Sequence, residues 1–192
     1  MTPDLRSRLA RLGRALSPEL LEGTNRLFAE RNGGIDPATR ITRDIAYGGH
    51  ARQRLDLFAR DGLCGAPVLV FVHGGGFVAG DKHAEGSPFY SNGGDFAARR
   101  GWLGVTVSYR LAPSSRWPSG PQDIALALGW LRAHAAAHGG DPARIVLMGQ
   151  SAGAAHVAGY LAHRAHHVAP GGGVAGAVLM SGVYDPASCP PN

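Results

Sequence analysis

The chain has 192 residues, of which 44% are hydrophobic, and it carries a formal net charge of +5 at pH 7, a composition typical of one soluble globular domain. The positive charge comes from scattered arginines, with Lys82 as the only lysine, and this argues against nucleic-acid binding, which needs clustered charge and stacking aromatic side chains. No apolar run approaches the ~18 residues that a membrane span needs and no secretory signal opens the chain, so we expect a cytoplasmic protein.

The first elements in chain order are helical. Periodic leucines predict one or two helices up to about residue 30, and the glycines and proline that follow end this pattern. We therefore predict a cap-like helical appendage over residues 1–40 and one core domain over residues 41–192. The core begins with predicted strands at residues 42–47 and 53–58. Because Leu55 and Leu57 alternate with Arg54 and Asp56, we expect an exposed antiparallel pair at a sheet edge.

The rest of the core alternates apolar strands with helices. Continuous apolar runs predict strands at residues 67–72, 103–108, 145–148 and 174–180, and the segments between them predict helices at residues 89–99, 121–138 and 151–163. This alternation is typical of a doubly wound α/β fold with a mostly parallel sheet. Ligands bind such sheets beyond the carboxyl ends of the strands, and this is where the sequence clusters its glycines.

A serine lies at one of these strand ends. The sequence Gly149-Gln-Ser-Ala-Gly153 joins an apolar strand to a helix, as in a nucleophile elbow, where a tight turn exposes the serine side chain above the sheet. The two glycines leave space for neighbouring backbone, and the helix that begins at Ser151 directs its positive end towards a developing negative charge. The pattern predicts Ser151 as a nucleophile.

A second glycine cluster, His73-Gly-Gly-Gly76, directly follows the strand at residues 67–72. Glycine leaves main-chain N–H groups accessible to a substrate carbonyl oxygen, so this segment is a candidate oxyanion loop. A phosphate-binding loop is the alternative, but neither G-x-G-x-x-G nor a G-K-S/T ending is present. Asp81 and Lys82, just beyond the loop, fit a solvated turn, with the entrance to the site as the alternative.

Four motifs in one order give the chain a specific resemblance. They are His73-Gly-Gly-Gly-Phe77, Tyr109-Arg-Leu-Ala-Pro113, Gly140-Asp-Pro142 with Arg144-Ile145, and Gly149-Gln-Ser-Ala-Gly153. Over about residues 42–185 the chain resembles the α/β-hydrolase carboxylesterases, among them hormone-sensitive-lipase-like and kynurenine-formamidase-like enzymes.

This resemblance implies an α/β-hydrolase fold that acts on a small-molecule ester or amide, with no cofactor and no metal. It implies Ser151 as the nucleophile and the N–H groups of Gly75, Gly76 and Ala152 as oxyanion donors. His73, Gly74, Gly149 and Gly153 would support them. Asp123, near the start of its helix, has a structural role in this interpretation, with its charge favourable to the helix dipole.

The acid and the base of the expected triad are the missing parts. They should follow the serine as Asp or Glu and then His, but Asp185 is the only acidic residue after Ser151 and no histidine follows it. Asp185 is a weak candidate for the acid. The histidines after the serine are His156, His163, His166 and His167, and the last three predict a solvated helix end rather than a metal cluster.

The strand count leads to the same expectation. The sequence predicts about six strands where the family usually has eight, so we expect a truncated fragment with the strand at residues 174–180 as an apolar edge. Two interpretations follow. In the first, the chain is a serine hydrolase that forms an acyl-enzyme on Ser151, either a carboxylesterase or an arylformamidase-like amide hydrolase. In the second, it is a catalytically incomplete fragment or a non-catalytic remnant of such an enzyme. Cys64 and Cys189 match neither a zinc site nor a disulfide framework.

Overall fold

The computed structural model describes residues 2–13, 15, 17–32 and 34–185. Cys189 lies outside these residues. The contacts within the chain divide it into two compact units, Met1–Gly34 and Ile35–Asn192. Among the described residues, no helix combines the length and the apolar composition needed to cross a membrane.

The first unit contains the two predicted helices, α1 (Pro3–Arg11) and α2 (Pro18–Asn32). Thr2 caps α1, because its hydroxyl accepts the N–H of Leu5 at 3.4 Å, and Pro3 occupies the first turn, where a missing N–H breaks no helical hydrogen bond. An ion pair of 2.9 Å joins Arg8 on α1 to Glu30 on α2. The cap-like role of this unit stays a prediction.

The second unit is built around one six-stranded sheet in the order β1-β2-β4-β3-β5-β6. The strands are β1 (Arg40–Ala46), β2 (Arg54–Ala59), β3 (Ala66–Val72), β4 (Leu103–Val107), β5 (Gly140–Gln150) and β6 (Gly176–Met180). The neighbouring pairs from β4 to β6 are parallel, and β2 runs antiparallel to both β1 and β4. The mostly parallel sheet is therefore confirmed.

Helices follow three of the strands. They are α3 (Ser91–Ala98), α4 (Ser119–His134) and α5 (Ala152–Ala162). Two of them, α4 and α5, bury apolar residues in the same core cluster. Leu128 and Leu131 of α4 are fully buried in one cluster with Val70 of β3 and Ile145 of β5. This packing explains why β3 and β5 consist almost entirely of apolar residues where they pair.

One expectation about the sheet edge is wrong. Only β1 lies at this edge, whereas β2 is an inner strand between β1 and β4, and its Asp56 is 0% exposed. The Asp56 carboxylate is compensated by Arg43 at 2.6 Å and by Lys82 at 3.0 Å. The alternation of charged and apolar residues in β2 led us to expect a solvent-exposed strand. A buried charge that is compensated by an ion pair gives the same alternation, so the local sequence pattern cannot distinguish the two cases.

Candidate active site

Ser151 lies in a tight turn between β5 and α5. Its φ of 53° and ψ of −119° are uncommon for a residue with a side chain, and such strain persists only where surrounding contacts impose it. One such contact is the Ser151 N–H, which donates to the carbonyl of Met180 at the end of β6, at 2.8 Å. The turn is thus fixed to the neighbouring strand.

The two glycines around Ser151 are required by close backbone packing. A Cβ on Gly149 would lie 2.6 Å from the Cα of Ala154, and a Cβ on Gly153 would lie 2.2 Å from the carbonyl oxygen of Val72. Neither neighbour is a flexible side chain. The glycines therefore leave space for neighbouring backbone, as the sequence pattern predicted, and the start of α5 packs directly against the end of β3.

The glycine loop after β3 passes directly beside the serine. A Cβ on Gly74 would lie 3.1 Å from the Cβ of Ser151 and 2.4 Å from Oε1 of Gln150. Gly75 and Gly76 then adopt positive φ values of 127° and 60°, which glycine reaches at little cost. Because β3 and β5 are neighbours, the sheet brings the two predicted motifs together.

Three N–H groups, two in the glycine loop and one at the start of α5, have no acceptor among the residues that the structure describes. They belong to Gly75, Gly76 and Ala152. Ala152 is the first residue of α5, where helical N–H groups lack intrahelical partners and carry a partial positive charge. These groups can therefore donate to an oxygen that develops negative charge.

His73 holds the start of the glycine loop. Its ring is fully buried and stacks on Tyr109, with the ring centroids 4.3 Å apart. Its Nδ1 donates to the carbonyl of Gly74 at 2.6 Å, and the Tyr109 hydroxyl donates to the His73 carbonyl at 2.9 Å. Burial lowers the pKa of His73 to about 4, so the ring is neutral at pH 7.

The end of the loop differs from the solvated turn that we expected. Lys82 is buried, and its Nζ pairs with Asp44 at 2.6 Å and with Asp56 at 3.0 Å. Burial alone would lower the pKa of Lys82, but the hydrogen bonds that its ammonium donates to these two carboxylates outweigh burial and raise the pKa. Asp81 accepts the Ser108 hydroxyl at 2.5 Å. The partners lie on β1, on β2 and after β4, so no local signal revealed them.

Asp123 has a structural role, but the physical reason differs from the predicted one. It lies beyond the first turn of α4, which contains no acidic residue, so the helix dipole is not its partner. Its buried carboxylate accepts the N–H of Arg110 at 2.7 Å and the amide of Gln53 at 2.7 Å, and Arg110 completes an ion pair of 2.8 Å.

The candidate acid and the histidines occupy segments that follow the Ser151 turn in the chain. Asp185 is exposed in the segment after β6, and His163, His166 and His167 lie at the end of α5 and in the helical turn that follows. His156 is buried on α5, edge-on to Tyr109 and Phe77 at 4.7 and 5.2 Å. Within the described residues, no histidine is hydrogen-bonded to the Ser151 hydroxyl and no group of three or more side chains could hold a metal ion.

A comparison with protein families decides where this chain belongs. The family model BD-FAE matches residues 55–169, which is more than half of the chain. The chain belongs to the BD-FAE family. The matched segment contains both the glycine loop and the Ser151 turn, so the predicted relationship to the α/β-hydrolase esterases is confirmed.

The relatives of this BD-FAE chain are esterases. It is 38% identical over 114 residues to the probable carboxylic ester hydrolase LipM of Mycobacterium tuberculosis, covering 57% of this chain and 26% of LipM. It is 36% identical over 155 residues to the esterase LipQ of the same organism, covering 75% of this chain and 36% of LipQ. The chain thus spans about a quarter to a third of the length of these relatives.

Solved structures give the same fold. Esterase B of Lactobacillus rhamnosis superposes with a TM-score of 0.61 at 20% identity, over 94% of this chain and 56% of that one. At this level of identity the likeness shows the fold alone. The second unit of this BD-FAE chain therefore has the α/β-hydrolase fold predicted from its sequence.

Proposed function

We propose that this chain carries the nucleophile and the oxyanion donors of a serine hydrolase that acts on carboxylic esters. The observation that carries the proposal is the closeness of Ser151, at a positive φ of 53°, to a glycine loop whose Gly75 and Gly76 N–H groups have no acceptor within the described part of the chain. Membership of the BD-FAE family and the esterase names of LipM and LipQ support it. An amide substrate would undergo the same chemistry.

The reaction begins with attack of Ser151 on the acyl carbon of the ester. The Oγ–carbon bond forms, the Oγ proton leaves, and the carbonyl electron pair becomes an oxyanion. The N–H groups of Gly75, Gly76 and Ala152 donate to this oxyanion, and losing one such donor typically costs about 10²–10³-fold in rate. The alcohol then departs with a proton, and water hydrolyses the acyl-enzyme.

The proposed attack also requires a group that accepts the Oγ proton of Ser151. Among the described residues no histidine bonds to the serine hydroxyl, and Asp185 stays a weak candidate for the acid. The second candidate function is a catalytically incomplete fragment or a non-catalytic remnant of such an enzyme. Oxyanion donors and binding alone still provide about 10³–10⁴-fold over water, so weak turnover would not separate the two.

An apolar cleft beside the loop is a suitable place for the carbon chain of the ester. It has a volume of about 630 Å³, and its lining includes Phe77, Trp117, His156, Leu179 and Tyr184. Volumes of this size are typical of small-molecule sites. Phe77 directly follows Gly76, so a substrate whose carbonyl oxygen reaches the loop can extend an apolar group into the cleft.

Acyl-enzyme formation tests the proposal. We expect p-nitrophenyl acetate to release one equivalent of p-nitrophenolate and to leave an acetyl group on Ser151, detected by intact mass and peptide mapping. p-Nitrophenyl hexanoate should react faster, since its chain can enter the cleft. Ser151→Ala should abolish the adduct, whereas Ser114→Ala, which changes an exposed serine, should retain it. An unmodified Ser151 together with no release of p-nitrophenolate above that of Ser151→Ala would favour the non-catalytic remnant. The cytoplasmic location stays a prediction from the sequence.

A further inference from the structure

We propose that Arg52 is a positioning residue that holds the far end of the glycine loop in register with Ser151. The inference rests on the proposed function, because it assigns to Arg52 the geometry of the oxyanion donors. Arg52 lies two residues before β2 and had no role in the sequence analysis. No local pattern marked it, because its partners come from distant segments of the chain.

The Arg52 guanidinium binds three acceptors. Its Nη2 donates to the Gly80 carbonyl at 2.7 Å, its Nη1 to the Asp81 carboxylate at 3.2 Å, and its Nε to the Tyr109 carbonyl at 2.7 Å. In the structure the loop extends over residues 73–81, so Gly80 and Asp81 are its last residues, and Tyr109 follows β4. One planar side chain therefore joins the loop to the strand beside β3.

Tyr109 lets this contact act on both ends of the loop. Its hydroxyl binds the His73 carbonyl at 2.9 Å, where the loop starts, and its own carbonyl is bound by Arg52. Tyr109 thus holds the start of the loop directly and the end of the loop through Arg52. A loop held at both ends keeps its N–H groups in place before the substrate arrives, as electrostatic stabilisation requires.

A tight turn couples the position of Gly80 to that of the N–H groups at the start of the loop. The Gly75 carbonyl accepts the N–H groups of Val78 at 3.2 Å and Ala79 at 2.9 Å. A Cβ on Gly75 would lie only 2.0 Å from the Ala79 carbonyl oxygen, and one on Gly80 would lie 2.4 Å from the Gly74 carbonyl oxygen. Gly80 therefore cannot move far without displacing Gly74 and Gly75.

Lysine cannot replace Arg52 at this position. An ammonium group is a compact point charge, whereas the guanidinium presents its donors in a fixed plane that matches three separate acceptors. Arg54 is the matched control. It has the same charge, but its Nη1 donates to the carbonyls of His50 at 3.3 Å and Gln53 at 3.1 Å, and neither of these residues belongs to the loop.

The experiment measures the reaction of an alkyl fluorophosphonate with the full chain. Ser151 Oγ attacks phosphorus, fluoride leaves, the serine proton is released, and the phosphonyl oxygen occupies the position of the oxyanion. We expect Arg52→Gln to lower the maximal inactivation rate about tenfold, the scale of a small misplacement, with the half-saturating concentration unchanged. Arg52→Lys should recover only part of the rate, and Arg54→Gln should match the wild type.

Hydrogen exchange provides a second readout that needs no reactivity. Arg52→Gln should accelerate exchange in the peptide spanning residues 73–82, whereas Arg54→Gln should not. Unfolding midpoints measured in parallel test whether both variants are folded. Wild-type rates and wild-type exchange in folded Arg52→Gln and Arg52→Lys would overturn the role of Arg52. A wild-type chain that labels no faster than Ser151→Ala would instead overturn the proposed function, and the exchange data would still decide the role of Arg52.

Discussion

Burial sets the charge of two histidines in the second unit. Desolvation lowers the pKa of His73 and of His156 to about 4, compared with about 6.5 for an accessible histidine. Both rings are therefore neutral at pH 7. His73 donates a hydrogen bond to the Gly74 carbonyl in the loop, and His156 packs on Tyr109 and Phe77. The sequence identified His73 as a loop residue, but it could not reveal that His156 is buried.

These shifts predict how stability depends on pH. The unfolded chain binds protons at these histidines below about pH 6.5, whereas the folded chain binds them only near pH 4, so the free energy of unfolding should fall as the pH is lowered through this window. The loss is on the order of 3 kcal/mol per histidine. In urea unfolding, the free energy of unfolding of His156→Gln should depend less steeply on pH than that of the wild type.

The matched control is His138→Gln, which makes the same substitution at an exposed histidine and provides the reference slope for His156→Gln. An unchanged slope in His156→Gln would show that the buried His156 ring does not resist protonation.

Among the elements, close contact between α5 and β3 determines the geometry of the site. The G-x-S-x-G pattern predicted the turn between a strand and a helix and the close approach of neighbouring backbone to its glycines, but it did not indicate that this backbone belongs to β3. The length of β5 was underestimated, since it begins at Gly140, where Asp141 and Arg144 interrupt the apolar run. Buried charge at Asp56 and Lys82 was missed for a related reason: each is compensated by residues far away in sequence.

Two glycine substitutions in helices should have opposite effects on stability. Gly153→Ala would place a Cβ 2.2 Å from the Val72 carbonyl oxygen, and such overpacking typically costs about 1–3 kcal/mol. Gly129→Ala adds a methyl group in an exposed part of α4 with nothing within 4 Å, and should stabilise by about 0.5–1 kcal/mol. Equal effects in thermal or urea unfolding would contradict the packing of α5 on β3.

For the molecule as a whole, the sheet order determines which edges meet solvent. The sequence predicted the strands, the helices and the parallel sheet, because continuous apolar runs indicate strands covered on both faces. It could not give the position of β2 inside the sheet, since pairing with β4 depends on the complete topology. At the other edge, Val178 and Leu179 of β6 are 45% and 40% exposed.

We predict that the chain self-associates through the edge formed by β6. The outer side of β6 has no strand partner in the part of the chain that the structure describes, and exposed apolar edges recruit other chains. Val178→Lys should therefore reduce the association that light scattering detects at high protein concentration. Thr42→Lys places the same charge on β1, at the opposite edge, and should have a smaller effect. Equal association in all three proteins would exclude β6 as the associating edge.

The central claim is that the fold makes Ser151 a nucleophile next to oxyanion donors. The most direct test compares the rate of fluorophosphonate labelling of the folded chain with that of the same chain in denaturing urea. We predict labelling at least about 10²-fold faster in the folded chain, with a single adduct on Ser151 that is absent in Ser151→Ala. Equal rates in the folded and unfolded chains, or an adduct on another residue, would contradict this claim.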